Sequence, residues 1–183
     1  MKNNVLAAGF VALSAFSMAQ DTQVSVQHAF WNVALAAKVC HPDYDECSVS
    51  GSLQGWKIGV TQTQQQSEYG SLYYGAAVYL AAQPEERIGV VFQPHYLLEA
   101  KVGGMVKPYN DANYAFKLGY QLVGIFQENS SQNLNSTFTS GIETGFRYDI
   151  GNGLYMDIDA ALPTSRDSVS AFGVGFAKTI DMS

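Results

Sequence analysis

Three things are scarce in this chain: basic residues, cysteine and long apolar runs. Its 183 residues carry 10 Lys and Arg against 16 Asp and Glu, a formal net charge of −6. Nucleic acid rewards clustered Lys and Arg, so nucleic acid is excluded as a partner. Two cysteines, Cys40 and Cys47, flank the stretch His-Pro-Asp-Tyr-Asp-Glu. With no other Cys and only two His outside that stretch the chain does not read as a zinc protein, and in an oxidising compartment the pair is expected to form a local disulfide that staples a loop. Beyond the N-terminal segment no run approaches the roughly 20 apolar residues of a spanning helix. Charged residues make up 14 % of the chain, where a soluble domain usually carries about a quarter.

What is present begins with a leader. Met1-Lys2-Asn3-Asn4 is short and positively charged, an apolar run follows from Val5 to Phe16, and Ser17-Met18-Ala19 offers the small side chains that a signal peptidase reads. Residues 1–19 are therefore expected to be an export signal, and residues 20–183 a single domain, since the length leaves hardly enough for two. The exported part is then either soluble outside the cytoplasm or a membrane barrel.

From Val24 onward the dominant pattern is alternation with period two, without sustained helical periodicity. Eight segments carry it: 24–37, 52–64, 70–82, 87–106, 113–126, 137–149, 153–162 and 169–180. In the first, Ala29, Trp31, Val33 and Leu35 read as the apolar face. In the second, Trp56, Ile58 and Val60 oppose Lys57, Gly59 and Thr61. The fourth contains Pro94, which removes a ladder hydrogen bond and predicts a bulge or a strand split in two. Short connections tend to alternate with longer ones, the pattern of outer-membrane barrels with turns on the periplasmic side and loops outside. The connection at 83–86 breaks that rule unless the fourth strand starts nearer Pro94.

Alternation alone fits a soluble barrel as well, and the placement of charge separates the two. In a membrane barrel a narrow lumen must hold the polar set. Here the polar parity carries both signs, Lys57, Lys101, Lys117 and Arg147 with Glu99, Glu143, Asp157 and Asp159, as a buried network requires. The opposite parity carries the aromatics Trp31, Trp56, Tyr74, Phe116, Tyr120, Phe146 and Phe172, which are expected to face lipid. The predicted fold is an all-β, eight-stranded antiparallel up-and-down transmembrane β-barrel in the bacterial outer membrane.

The stretches Tyr96-Leu-Leu-Glu-Ala-Lys-Val-Gly-Gly-Met-Val, Tyr114-Ala-Phe-Lys-Leu-Gly-Tyr, Gly141-Ile-Glu-Thr-Gly-Phe-Arg-Tyr-Asp-Ile and Ala171-Phe-Gly-Val-Gly-Phe add a resemblance. The chain resembles the small outer-membrane barrel superfamily typified by the OmpA transmembrane domain and OmpX. That resemblance implies eight strands, insertion by the outer-membrane assembly machinery and a lumen filled by side chains. Members commonly end on an aromatic residue; this chain departs from that, continuing after Phe176 with Ala-Lys-Thr-Ile-Asp-Met-Ser.

Enzyme-like chemistry is thin. His95 and Glu99 share a strand face but lie about 13 Å apart along it, too far for direct contact. A lipid A deacylase or acyltransferase would need a hydroxyl beside the histidine, and Ser52 and Ser71 are the candidates. His41, Asp43, Asp45 and Glu46 make the first loop acidic and read as solvated charge in preference to a metal site. No cofactor, metal or nucleotide site is expected. The expected role is a non-enzymatic envelope or surface-binding protein, monomeric, in contact with outer-membrane lipid and lipopolysaccharide, with an unidentified extracellular ligand at its loops. The alternatives are a lipid-modifying barrel enzyme, and a soluble periplasmic ligand-binding barrel in which Trp56 and Phe116 would be buried.

Overall fold

The computed structural model describes residues 21–37, 47–81, 94–128, 134–164 and 168–180. They form eight strands: β1 (Asp21–Ala37), β2 (Cys47–Gln65), β3 (Gly70–Ala81), β4 (Pro94–Val106), β5 (Tyr114–Glu128), β6 (Leu134–Gly151), β7 (Leu154–Pro163) and β8 (Ser168–Ile180). Each strand pairs antiparallel with its sequence neighbours, and β8 pairs back onto β1, closing the barrel. Closure leaves no unpaired edge, the condition for carrying strands through lipid.

Local sequence sets the turns. Between β6 and β7, Gly151, Asn152 and Gly153 all have positive φ, at 105°, 56° and 69°. Glycine occupies that region without a Cβ penalty, and asparagine tolerates it. The Asp149 carboxylate accepts the Gly151 N–H at 2.8 Å and fixes the entry to the turn. The turns 66–69, 107–113 and 152–153, with the outer ends of β1 and β8, gather at one end of the barrel, called here the turn end. The opposite end is the loop end.

Over most of the described strands buried residues alternate with exposed ones, and through the middle of the barrel the relation to polarity is inverted. Lys57, Glu99, Lys117, Glu143, Arg147, Asp157 and Asp159 are buried, whereas Val102, Phe116, Leu118 and Phe138 are among the most exposed hydrophobic residues. The soluble alternative required Trp56 and Phe116 inside; they are 52 % and 56 % exposed.

Two sequence expectations need correction here. Trp31 was expected to face lipid and is 2 % exposed, inside the lumen. The cause is register: β1 pairs Gln27 with Lys57 and Trp31 with Leu53, so the odd residues of β1 share the inner face with the odd residues of β2. Val26 and Phe30 take the outer face. A shift of one residue exchanges the two faces of a whole strand, so the error affects all of β1. The fourth strand, expected over 87–106, is seen over Pro94–Val106, with a register shift between Pro94 and Tyr96; residues 87–93 of that expectation lie outside the described residues. Residues 1–19, Cys40, the Cys47 side chain, the acidic loop at 41–46 and the His95 side chain lie outside the described residues.

Candidate functional site

The lumen is the candidate site, and it is layered. Toward the turn end and the middle, the strands deliver four cations and four anions to one enclosed belt. Lys57 on β2 meets Glu99 on β4 at 2.8 Å. Lys101, two residues along β4, reaches Glu143 on β6 at 2.8 Å and lies 3.9 Å from Glu99. Lys117 on β5 pairs with Asp159 on β7 and lies 3.5 Å from Asp157. Arg147 on β6 holds Asp157 with a two-pronged contact, Nε to Oδ1 at 2.7 Å and Nη2 to Oδ2 at 2.6 Å. A planar guanidinium suits a carboxylate in that way.

Neutral donors complete the belt. The Tyr73 hydroxyl donates to Glu143 at 3.0 Å, and the Tyr79 hydroxyl donates to Glu99. Both rings also lie beside lysines: Lys57 Nζ is 5.1 Å from the Tyr79 ring centroid, and Lys101 Nζ is 5.8 Å from that of Tyr73. Several kcal/mol of desolvation per ion must be offset in such a setting, so every carboxylate here needs more than one donor. Tyr73 fits because β4 and β5 present glycine where it crosses: a Cβ on Gly103 would lie 2.5 Å from its hydroxyl oxygen.

β8 contributes space in place of charge. Its inward residues are Ala171, Gly173, Gly175 and Ala177, so long side chains from β1 cross beneath it. Gln27 Nε2 donates to Asp159 on β7 at 2.6 Å, and Arg147 Nη1 on β6 donates to Gln23 Oε1 at 2.5 Å. The seam between first and last strands is thus tied by side chains as well as by the ladder.

Toward the loop end the lumen turns apolar. Ala29, Trp31, Leu53, Tyr79, Leu97, Val123, Ile125 and Val169 pack as one buried cluster, with the Trp31 and Tyr79 rings edge to face at 5.0 Å. Sequence reasoning missed this layer because it treated the inward parity as the polar one. The signal was available: Leu53, Leu97, Val123 and Ile125 share parity with Lys57, Glu99, Lys117 and Gln121 on their own strands. Between the layers a void of about 10 Å³ lined by Gln27, Lys57, Gln121 and Glu143 has room for about one water-sized group. At the turn end a larger vestibule of about 170 Å³ opens outward above Arg147 and Gln23.

The outer surface carries the remaining aromatics. Phe116, Trp56, Tyr120 and Phe172 are exposed, Phe146 and Tyr74 half-buried. Near the turn end Tyr109, Tyr114, Phe116 and Phe146 form a chain of ring contacts at 5.5 to 6.2 Å. Tyr74 donates its hydroxyl to Gln62 at 2.7 Å, and Gln62 donates to Thr22 at 3.2 Å, which satisfies a polar group on the outer wall. Lys178 is the charged exception among described outward residues, and its ammonium donates to the Asn152 carbonyl at the turn.

No protein family matches the chain, and no curated protein matches it in sequence. Solved structures do match. Ail, the attachment invasion locus protein of Yersinia pestis, in complex with the heparin analogue sucrose octasulfate, gives a TM-score of 0.51 at 8 % identity, covering 87 % of this chain and 99 % of that one. Neisserial surface protein A gives 0.50 at 12 % identity over 87 % and 96 % of the two chains. Ail in a phospholipid bilayer nanodisc, described as an outer membrane protein, gives 0.47 at 9 % identity over 87 % and 99 %. The fold is that of the small outer-membrane β-barrels. Outer-membrane barrels of this fold have an apolar exterior and a closed strand ladder, and the described strands of this chain close into such a barrel with an apolar outer face. Among the described residues the wall is apolar, and charge is confined to the lumen and the two ends.

Proposed function

We propose that the exported chain is a non-enzymatic outer-membrane barrel that anchors in the envelope and presents its loops at the cell surface, with a lumen closed to bulk diffusion. The observation that carries this reading is the double seal: a neutral belt of four cations and four anions beneath an apolar layer centred on Trp31, Leu97 and Ile125. An eight-stranded barrel is narrow enough for side chains to fill it. In this reading residues 1–19 are removed on export and the assembly machinery inserts the rest as a monomer. The loop end faces outward, and Cys40 and Cys47 staple the first loop.

The ligand of those loops is read from charge. Segments 38–46, 82–93, 129–133 and 165–167 together hold six acidic and three basic residues. That acidic balance disfavours a sulfated ligand such as the heparin analogue sucrose octasulfate found with Ail, and favours a basic partner.

The test uses the chain from Gln20 onward, refolded into detergent and then lipid. Heat-modifiable gel mobility with a β-rich circular dichroism spectrum is expected only with detergent or lipid present. Planar bilayers should show no discrete conductance steps, and immobilised protein should retain a cationic peptide and not heparin. Stable channel openings would overturn the sealed lumen, heparin binding would overturn the loop reading, and release of fatty acid from lipid A would overturn the non-enzymatic role.

A further inference from the structure

The vestibule at the turn end is a built concavity with two chemically different ends. Its floor is donor-rich. Arg147 has five N–H bonds; three are committed, two to Asp157 and one to Gln23, which leaves two. Gln23, only 3 % exposed, accepts from Arg147 through its oxygen, so its own amide N–H groups remain for an acceptor in the vestibule it lines. The two-pronged contact with Asp157 orients the Arg147 guanidinium, whose Cζ lies 5.1 Å from the Tyr155 ring centroid, so these donors are fixed in direction. The rim is acceptor-rich: Asp21, Glu68 and Asp149 stand there against Lys107.

We propose that this vestibule binds a small zwitterion of amino-acid size, its carboxylate on the Arg147 and Gln23 donors and its ammonium on the rim carboxylates. A simple anion on the floor would meet the repulsion of the rim, and a simple amine on the rim would make no use of the floor donors. A ligand carrying both charges satisfies both ends, and a volume of about 170 Å³ suits a molecule with a short chain between them. The uncommitted floor donors face the open vestibule, and a carboxylate placed on them adds charge-assisted hydrogen bonds that a one-ended amine lacks.

The probe is 5-aminovalerate, titrated into the folded barrel in a non-ionic detergent, with pentylamine and pentanoate as one-ended controls of the same length. The readout is the ¹⁵N–¹H shift of the Arg147 Nε–H and the Gln23 amide. Saturable shifts are expected with 5-aminovalerate, and each control should bind at least tenfold more weakly. The rim variant Asp21→Asn with Glu68→Gln alters exposed residues, and its folding is checked by heat-modifiable mobility. It should lose about tenfold in affinity for 5-aminovalerate and bring it level with pentanoate, one tenfold step corresponding to about 1.4 kcal/mol. Absence of saturable shifts, pentanoate binding as tightly as 5-aminovalerate, or a rim variant with unchanged affinity would each overturn the proposal.

Discussion

The two halves of the lumen are closed by opposite means. At the loop end Trp31, Leu53, Leu97, Val123 and Ile125 exclude water by close packing, as an ordinary core does. From the middle to the turn end the same strands enclose Lys57, Lys101, Lys117 and Arg147 with Glu99, Glu143, Asp157 and Asp159. An apolar layer is stable piece by piece, each side chain contributing its own burial. A charged layer is stable only as a whole, because each ion removed strands its partner. The apolar half should therefore respond to mutation gradually, and the charged half cooperatively.

The largest effect is expected from Glu143→Ala, which leaves Lys101 with only the more distant Glu99 carboxylate at 3.9 Å and takes the acceptor from Tyr73. A loss of about 3–5 kcal/mol should appear in urea unfolding of the lipid-reconstituted barrel. Replacing both partners, Lys101→Met with Glu143→Met, should recover most of that loss, and a double-mutant cycle measures the coupling. Equal loss in the single and double variants would break the contrast between the layers. In the apolar half, Leu97→Ala should cost about 2–5 kcal/mol. Combined with Val169→Ala it should add without strong coupling if the layer is a simple packed core.

On the outer wall, Val102→Arg sits at a position 56 % exposed. In lipid it should cost about 2–4 kcal/mol near the bilayer midplane, whereas the same change on a water-facing surface falls within about 0.5 kcal/mol. This substitution sharpens the inside-out assignment most directly. A smaller effect, about 1–3 kcal/mol, is expected of Gly103→Ala, whose new Cβ presses on the Tyr73 hydroxyl. Pairing it with Tyr73→Phe should leave part of that cost in place, because the Leu118 carbonyl is equally close to the added carbon.

Much of this was legible in the sequence. Period-two alternation located eight strands, and Pro94 marked the place where the register shifts. The eight charged residues named from parity all lie inside the barrel, where the structure joins them into pairs. Their pairing was not legible, because Lys117 and Asp159 sit on strands two apart and meet only across the lumen. Trp31 was misplaced for a related reason. Ala29, Trp31, Val33 and Leu35 form an apolar parity by themselves, and only the pairing of Gln27 with Lys57 shows that this parity points inward.

By itself the sequence determined the strand count, the antiparallel meander and, Lys178 apart, the gathering of strand charge on one parity, because a period of two is a property of the chain alone. Which apolar residues face lipid and which fill the lumen was decided only by the closed barrel. An apolar side chain is stable against lipid and against other apolar side chains alike, so its own chemistry does not choose between them. Register with the neighbouring strands does, and it turned Trp31 into the roof of the charged belt.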